Sequence, residues 1–142
     1  VMMPLDVTHQ LLTLKRRIAD IRQTANPVGH VVAEMLEFAE RSDKGKYGAE
    51  GGPLHDPTVI AYLLSPELFS GRDCNVCIEV NSPLTRGMTV VDWWRVTDRQ
   101  PNVKFMRHVD DDGFYSLLTE CIQRYPLRED KHSILPLHLS IK

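Results

Sequence analysis

The spacing of hydrophobic residues changes period several times along the chain, and each change marks a predicted element. Val1 to Val7 is a short apolar run with the character of a strand, and helical spacing follows through Leu11, Leu12, Leu14, Ile18 and Ile21. Thr8 is the expected cap of that helix. Asn26-Pro27 opens a second helix whose apolar positions, Val28, Val31, Val32, Met35, Leu36 and Ala39, recur at i, i+3 and i+4 and stop near Arg41. Residues 42–53 are polar, hold four glycines and have no apolar period, so they read as a loop, a preferred carrier of binding residues. A short buried helix over 59–64 and one further turn over 65–69 come next. Strands are predicted at 75–80 and 88–92, joined by a Pro-containing connection suited to a hairpin, and at 103–109. Asp110-Asp111-Asp112-Gly113 then turns the chain into a helix with Phe114, Leu117, Leu118, Cys121 and Ile122 on one face. The alternation of strand and helix predicts an α/β fold.

Candidate chemistry concentrates where the loop gives way to the helix, at Gly51-Gly52-Pro53-Leu54-His55-Asp56-Pro57. Two glycines permit a tight turn, Pro57 suits the first helical position, and Asp56 is the expected N-cap. A cap alone would give this pair a purely structural role. Adjacent residues at a helix start diverge, however, so a carboxylate and an imidazole here can serve two sides of one site.

Three segments occur in order: Met3-Pro4-Leu5-Asp6-Val7-Thr8-His9-Gln10, then the His55-Asp56 motif, then Thr85-Arg86-Gly87-Met88-Thr89-Val90-Val91-Asp92. Together they resemble the C-terminal half of the inosine-uridine preferring nucleoside hydrolases, over Val1 to about Tyr125. The N-terminal aspartate cluster of that family, Asp-x-Asp-x-Gly-x-Asp-Asp, is absent from these residues. The resemblance implies the C-terminal part of a mixed-sheet fold with flanking helices over 1–125, followed by a tail or arm over 126–142. It implies a calcium-dependent N-ribohydrolase of nucleoside salvage, cytoplasmic and homo-oligomeric when complete, that cleaves ribonucleosides to ribose and free base. Asp56 would be a calcium ligand, His55 the catalytic proton donor to the leaving base, and Tyr47 a substrate-binding aromatic on the base. Asp43, one helical turn before Tyr47, stands where an amide would be expected. Val1 falls inside an apolar run with no lead-in, so the chain reads as starting within a domain. On that reading the missing half brings the general base, the other calcium ligands and the ribose contacts, and this chain alone is inactive.

Composition narrows the classes. A chain of 142 residues with 42% hydrophobic and 25% charged residues is globular. Its net charge of -2 offers no electrostatic attraction to nucleic acid or an anionic membrane. No apolar run approaches the roughly 18 to 20 residues needed to span a bilayer. The three cysteines, Cys74, Cys77 and Cys121, are an odd set that argues against a disulfide framework. Cys74 and Cys77, three apart on a predicted strand, should point to opposite faces rather than form a redox or zinc pair. Asp6 and His9 are expected to organise a turn, Arg86 and Asp92 to pair or anchor loops, Trp93-Trp94 to pack or cover a rim, and Asp110 to Asp112 to start a helix. A second class of function stays open: a non-catalytic α/β binding or oligomerisation module on the same scaffold.

Overall fold

The computed structural model describes residues 1–24, 26–47 and 51–125, with the backbone alone for 42–47. Its elements run α1 (Leu5–Thr8), α2 (Lys15–Arg22), α3 (Pro27–Tyr47), α4 (Asp56–Leu64), a 3-10 turn (Pro66–Leu68), β1 (Phe69–Ile78), β2 (Thr89–Asp92), β3 (Val103–Val109) and α5 (Asp111–Gln123). The three strands form an antiparallel sheet in the order β2-β1-β3. β2 pairs with β1 from Asn75 opposite Asp92 to Ile78 opposite Thr89. β3 pairs with the other edge of β1, from Phe69 opposite Val109 to Cys74 opposite Val103. The register shifts between Ser70 and Gly71. A side chain is not possible at this bulge, because a Cβ on Gly71 would lie 2.1 Å from the Phe105 carbonyl oxygen.

The start of the chain departs from expectation. Only Met2 keeps strand character, in a parallel bridge to Phe105 secured by Met2 N–H to the Lys104 carbonyl at 2.9 Å and Met106 N–H to the Met2 carbonyl at 3.1 Å. Pro4, extended at φ -81 and ψ 169, ends that run and opens the single turn of α1. Thr8 therefore closes a helix instead of capping one. Residues 11–14 are not helical either, because their backbone is used elsewhere. Leu12 bridges Pro53 in antiparallel fashion, Thr13 N–H donates to the Gly52 carbonyl at 2.9 Å, and Leu54 N–H donates to the Leu11 carbonyl at 3.0 Å.

The predicted loop over 42–53 is corrected too. α3 continues to Tyr47, six residues past its apolar stripe, with Lys44 and Lys46 as the good helix formers of that extension. Asn26 anchors its start: the side-chain carbonyl accepts from Val28 N–H at 2.9 Å, and the amide donates to the carbonyls of Ile122 and Tyr125. β1 begins six residues earlier than periodicity indicates, because Ser70, Gly71, Arg72 and Asp73 carry no apolar signal. β3 has the expected bounds.

Two layers of packing result. α1, α4, α5 and the sheet meet around Val7, Leu11, Ala61, Phe69, Met106 and Phe114, while α2, α3 and α5 meet around Ile18, Ile21, Ala33, Leu36 and Ile122. The far end of the sheet buries Cys74, Val76 and Phe105 under Trp93. Cys74 is buried and Cys77 is not, as opposite faces require, and all three cysteines are free.

Candidate active site

The segment 51–54 is held by α1 and the residues that follow it. Gly51 has φ +108, and a Cβ there would lie 3.0 Å from the Thr13 carbonyl carbon, so this position requires glycine. Gly52 N–H donates to the Thr13 hydroxyl at 2.9 Å, and that hydroxyl returns a bond to the Gly52 carbonyl at 3.0 Å. The backbone leading into His55 is thus tied to residues forty positions earlier. Thr58, fully buried, ties the first turn of α4 by donating from its hydroxyl to the Leu54 carbonyl at 2.7 Å.

His55, not Asp56, occupies the cap position of α4, with φ -93 and ψ -68 and no side-chain capping bond. Its imidazole is engaged elsewhere. Nδ1 lies 2.8 Å from the hydroxyl of Thr8, a residue only 3% exposed. The Thr8 hydroxyl also reaches the Leu5 carbonyl at 3.5 Å. The His9 ring sits beside the same imidazole, with centroids 5.5 Å apart and planes tilted by 50°.

Asp56 is the first residue of α4 and is exposed. A carboxylate there gains from the positive end of the helix dipole. It stands at the edge of an apolar groove of about 410 Å³ between α4 and α5, whose walls include Ile60, Ala61, Leu64, Phe114, Leu117 and Leu118. His55 is not one of those walls. Tyr47 ends α3, and its side chain, like that of Asp43, lies outside the described residues, as do residues 126–142.

Other polar residues have structural positions. Asp110 caps α5, accepting from Gly113 N–H at 3.0 Å. Asp111 and Asp112 pair with Arg17, which is 5% exposed and lies 4.3 Å over the Tyr115 ring. The hydrogen bond from Arg17 holds the Asp111 carboxyl below the usual range, and burial pushes the Tyr115 phenol well up. Asp92 anchors a loop by accepting from Val96 N–H and from the amide and hydroxyl of Thr97, bonds that lower its pKa. Trp93 packs on Phe105 with Arg72 and Arg107 against its ring, while Trp94 is exposed.

Calcium prefers six to eight oxygen donors. Among the described residues, no three His, Cys, Asp or Glu side chains converge as a metal site. Asp56 fits as one hard donor of such a site and cannot form it alone.

Residues 1–116 match the family profile of the inosine-uridine preferring nucleoside hydrolases. The chain belongs to this family. This nucleoside hydrolase segment is 52% identical over 126 residues to an uncharacterised protein of Schizosaccharomyces pombe, covering 89% of this chain and 41% of the relative. It is 42% identical over 129 residues to a pyrimidine-specific ribonucleoside hydrolase of an Enterobacter species, covering 90% of this chain and 41% of that one. The segment thus spans about two-fifths of the length of these relatives. Among solved structures it resembles a purine-preferring ribonucleoside hydrolase from Gardnerella vaginalis, with a TM-score of 0.69 and 28% identity over 84% of this chain and 38% of that one. A plant nucleoside hydrolase shares the fold, with a TM-score of 0.73 and 20% identity over 87% of this chain and 41% of that one. The α/β arrangement is accordingly part of a nucleoside hydrolase fold. No helix of the described residues is long and apolar enough to cross a membrane.

Proposed function

We propose that this chain contributes one side of the active site of a calcium-dependent ribonucleoside hydrolase, with Asp56 a ligand to the ion and His55 the proton donor to the departing base. The observation that carries the reading is the held imidazole: His55 sits next to Asp56 at the head of α4, with Nδ1 bonded to a buried hydroxyl. Hydrolysis of an N-glycosidic bond leaves negative charge on the base and oxocarbenium character on the ribose. Calcium, when bound, would grip the ribose hydroxyls and the attacking water.

The residues of this chain then have definite tasks. With its proton toward the Leu5 carbonyl at 3.5 Å, the Thr8 hydroxyl is proposed to accept from Nδ1–H of His55. That arrangement leaves the second proton of the imidazolium on Nε2, ready for the base, and keeps the Nδ1–H bond intact after transfer. Asp56 adds an oxygen donor at the same helix start. Tyr47 is proposed to meet the base. Pyrimidine ribonucleosides are the proposed substrates, by similarity to the Enterobacter relative. Among the described residues too few oxygen donors join Asp56 to hold the ion, and the chain by itself is proposed not to turn over.

The test is a chimera in which this chain replaces the matching stretch of the Enterobacter enzyme. We expect uridine hydrolysis that is lost on chelation and restored by calcium. Asp56→Ala should weaken calcium binding by orders of magnitude. His55→Ala should slow uridine turnover by about 10²–10⁴-fold and spare nitrophenyl riboside, whose leaving group needs no proton. Equal losses on both substrates would remove His55 from the proton-donor role.

A further inference from the structure

Two arginines converge on one indole. The guanidinium carbon of Arg72 lies 3.9 Å from the centre of the Trp93 ring and that of Arg107 lies 4.6 Å from it, while the Trp94 ring is 5.4 Å from Arg72. Stacking engages the face of a guanidinium and leaves the N–H groups at its edge to find acceptors. Those of Arg72 find none. Its Nε and Nη2, the two donors of one edge, are buried without a hydrogen-bond partner among the described residues. Such an edge matches two oxygens of a phosphate or carboxylate, and leaving it unmet is costly. Neither arginine forms an ion pair with a carboxylate of the described residues. Asp92, beside the tryptophans in sequence, is occupied by Val96 and Thr97. Trp94 adds an aromatic surface that is 77% exposed, on a turn in which Arg95 has a φ of 54. A non-glycine residue there is uncommon, and strain of this kind collects at ligand clamps.

We propose that Arg72, Arg107 and Trp94 form a binding site for a nucleoside monophosphate. Charge selects the phosphate. A phosphate monoester carries roughly -1.5 to -2 at neutral pH, enough to balance both guanidiniums where one carboxylate would balance only one. The Arg72 edge takes two of its oxygens and Arg107 answers the remaining charge. Because that edge is covered, the ligand reaches it as Trp94 swings outward. The exposed indole then stacks on the base, a contact open to any base because each has a π-face. None of the three residues lines the groove at Asp56, and the site stands independently of the hydrolase reading.

Intrinsic fluorescence tests it, because Trp93 and Trp94 are the only tryptophans of the chain. Uridine monophosphate is titrated at constant ionic strength, with excitation at the red edge of the indole band, where uracil is transparent. We expect saturable quenching by the nucleotide, binding of inorganic phosphate that is weaker by about tenfold, and no change with uridine, which brings no charge to the arginines. Arg72→Lys keeps the charge and loses the fork, so it should weaken nucleotide binding by about tenfold. Trp94→Ala, at an exposed position, should lower the nucleotide to the affinity of inorganic phosphate, read from Trp93. Circular dichroism confirms that each variant is folded. Quenching by uridine equal to that by the nucleotide, the same effect from chloride, or unchanged nucleotide affinity in folded Arg72→Lys would overturn the site. Equal affinity of the native chain for nucleotide and inorganic phosphate would overturn its assignment to a nucleotide.

Discussion

Thr8 shows what single residues contribute and what a sequence withholds. His55 and Asp56 are adjacent, so their pairing is legible from the chain itself, but the hydroxyl that holds the imidazole is 47 residues away. Periodicity places Thr8 at a helix boundary and stops there. Only the turn of α1, which folds Thr8 inward, brings it to Nδ1. Nitrogen-15 shifts of the His55 ring should report the Nδ1–H tautomer in the native chain. Thr8→Ser should keep it and Thr8→Val should lose it, and an Nε2–H tautomer in the native chain would reverse the donor assignment. Gly51 is a second residue with a definite demand. With φ +108 and the Thr13 backbone against it, Gly51→Ala should cost roughly 1–3 kcal/mol in denaturant unfolding. An unchanged midpoint would mean that the segment relaxes freely.

At the scale of elements, the short-period strands were the most legible. β3 has its expected bounds although Phe105 and Met106 are both buried and the register skips Arg107, and β2 with its hairpin falls within a residue of expectation. Elements whose limits depend on distant partners were not. Residues 11–14 look helical because their leucines are helically spaced, yet Gly52, Pro53 and Leu54 take their backbone into a bridge. α3 runs on to Tyr47, six residues past the end of its apolar stripe at Arg41. α2 and α5 are joined by Arg17, whose buried guanidinium meets Asp111 and Asp112. Asp111 has a lowered folded pKa, so its stabilisation is complete above the ordinary aspartate value of about 3.9 and is lost as pH falls through the folded value. Asp111→Asn should therefore lower Tm at neutral pH and flatten the decline of Tm below about pH 4. Arg17→Ala, which also strips the face of Tyr115, should cost about 1–3 kcal/mol.

For the whole molecule, family and fold class were legible because three short motifs keep their order over most of the chain, and the match to residues 1–116 agrees with that order. The surroundings of the candidate site were less legible: the fold holds the His55 imidazole against Thr8 of α1 and sets the Asp56 carboxylate beside the α4–α5 groove. A linear pattern gives neighbours along the backbone and is silent on which cavity each borders. The exposed apolar banks of the α4–α5 groove should make the chain bind a hydrophobic dye such as ANS, and Ile60→Glu with Leu64→Glu should reduce that fluorescence; a chain that never binds the dye would contradict the prediction.

The bridge from Leu11–Thr13 to Gly52–Leu54 has a mechanical consequence. It fastens the turn bearing Thr8 to the peptide bearing His55, so neither can shift without dragging the other. The His55 imidazole and the Thr8 hydroxyl move as one lever, and any motion of this region must pivot outside that clamp.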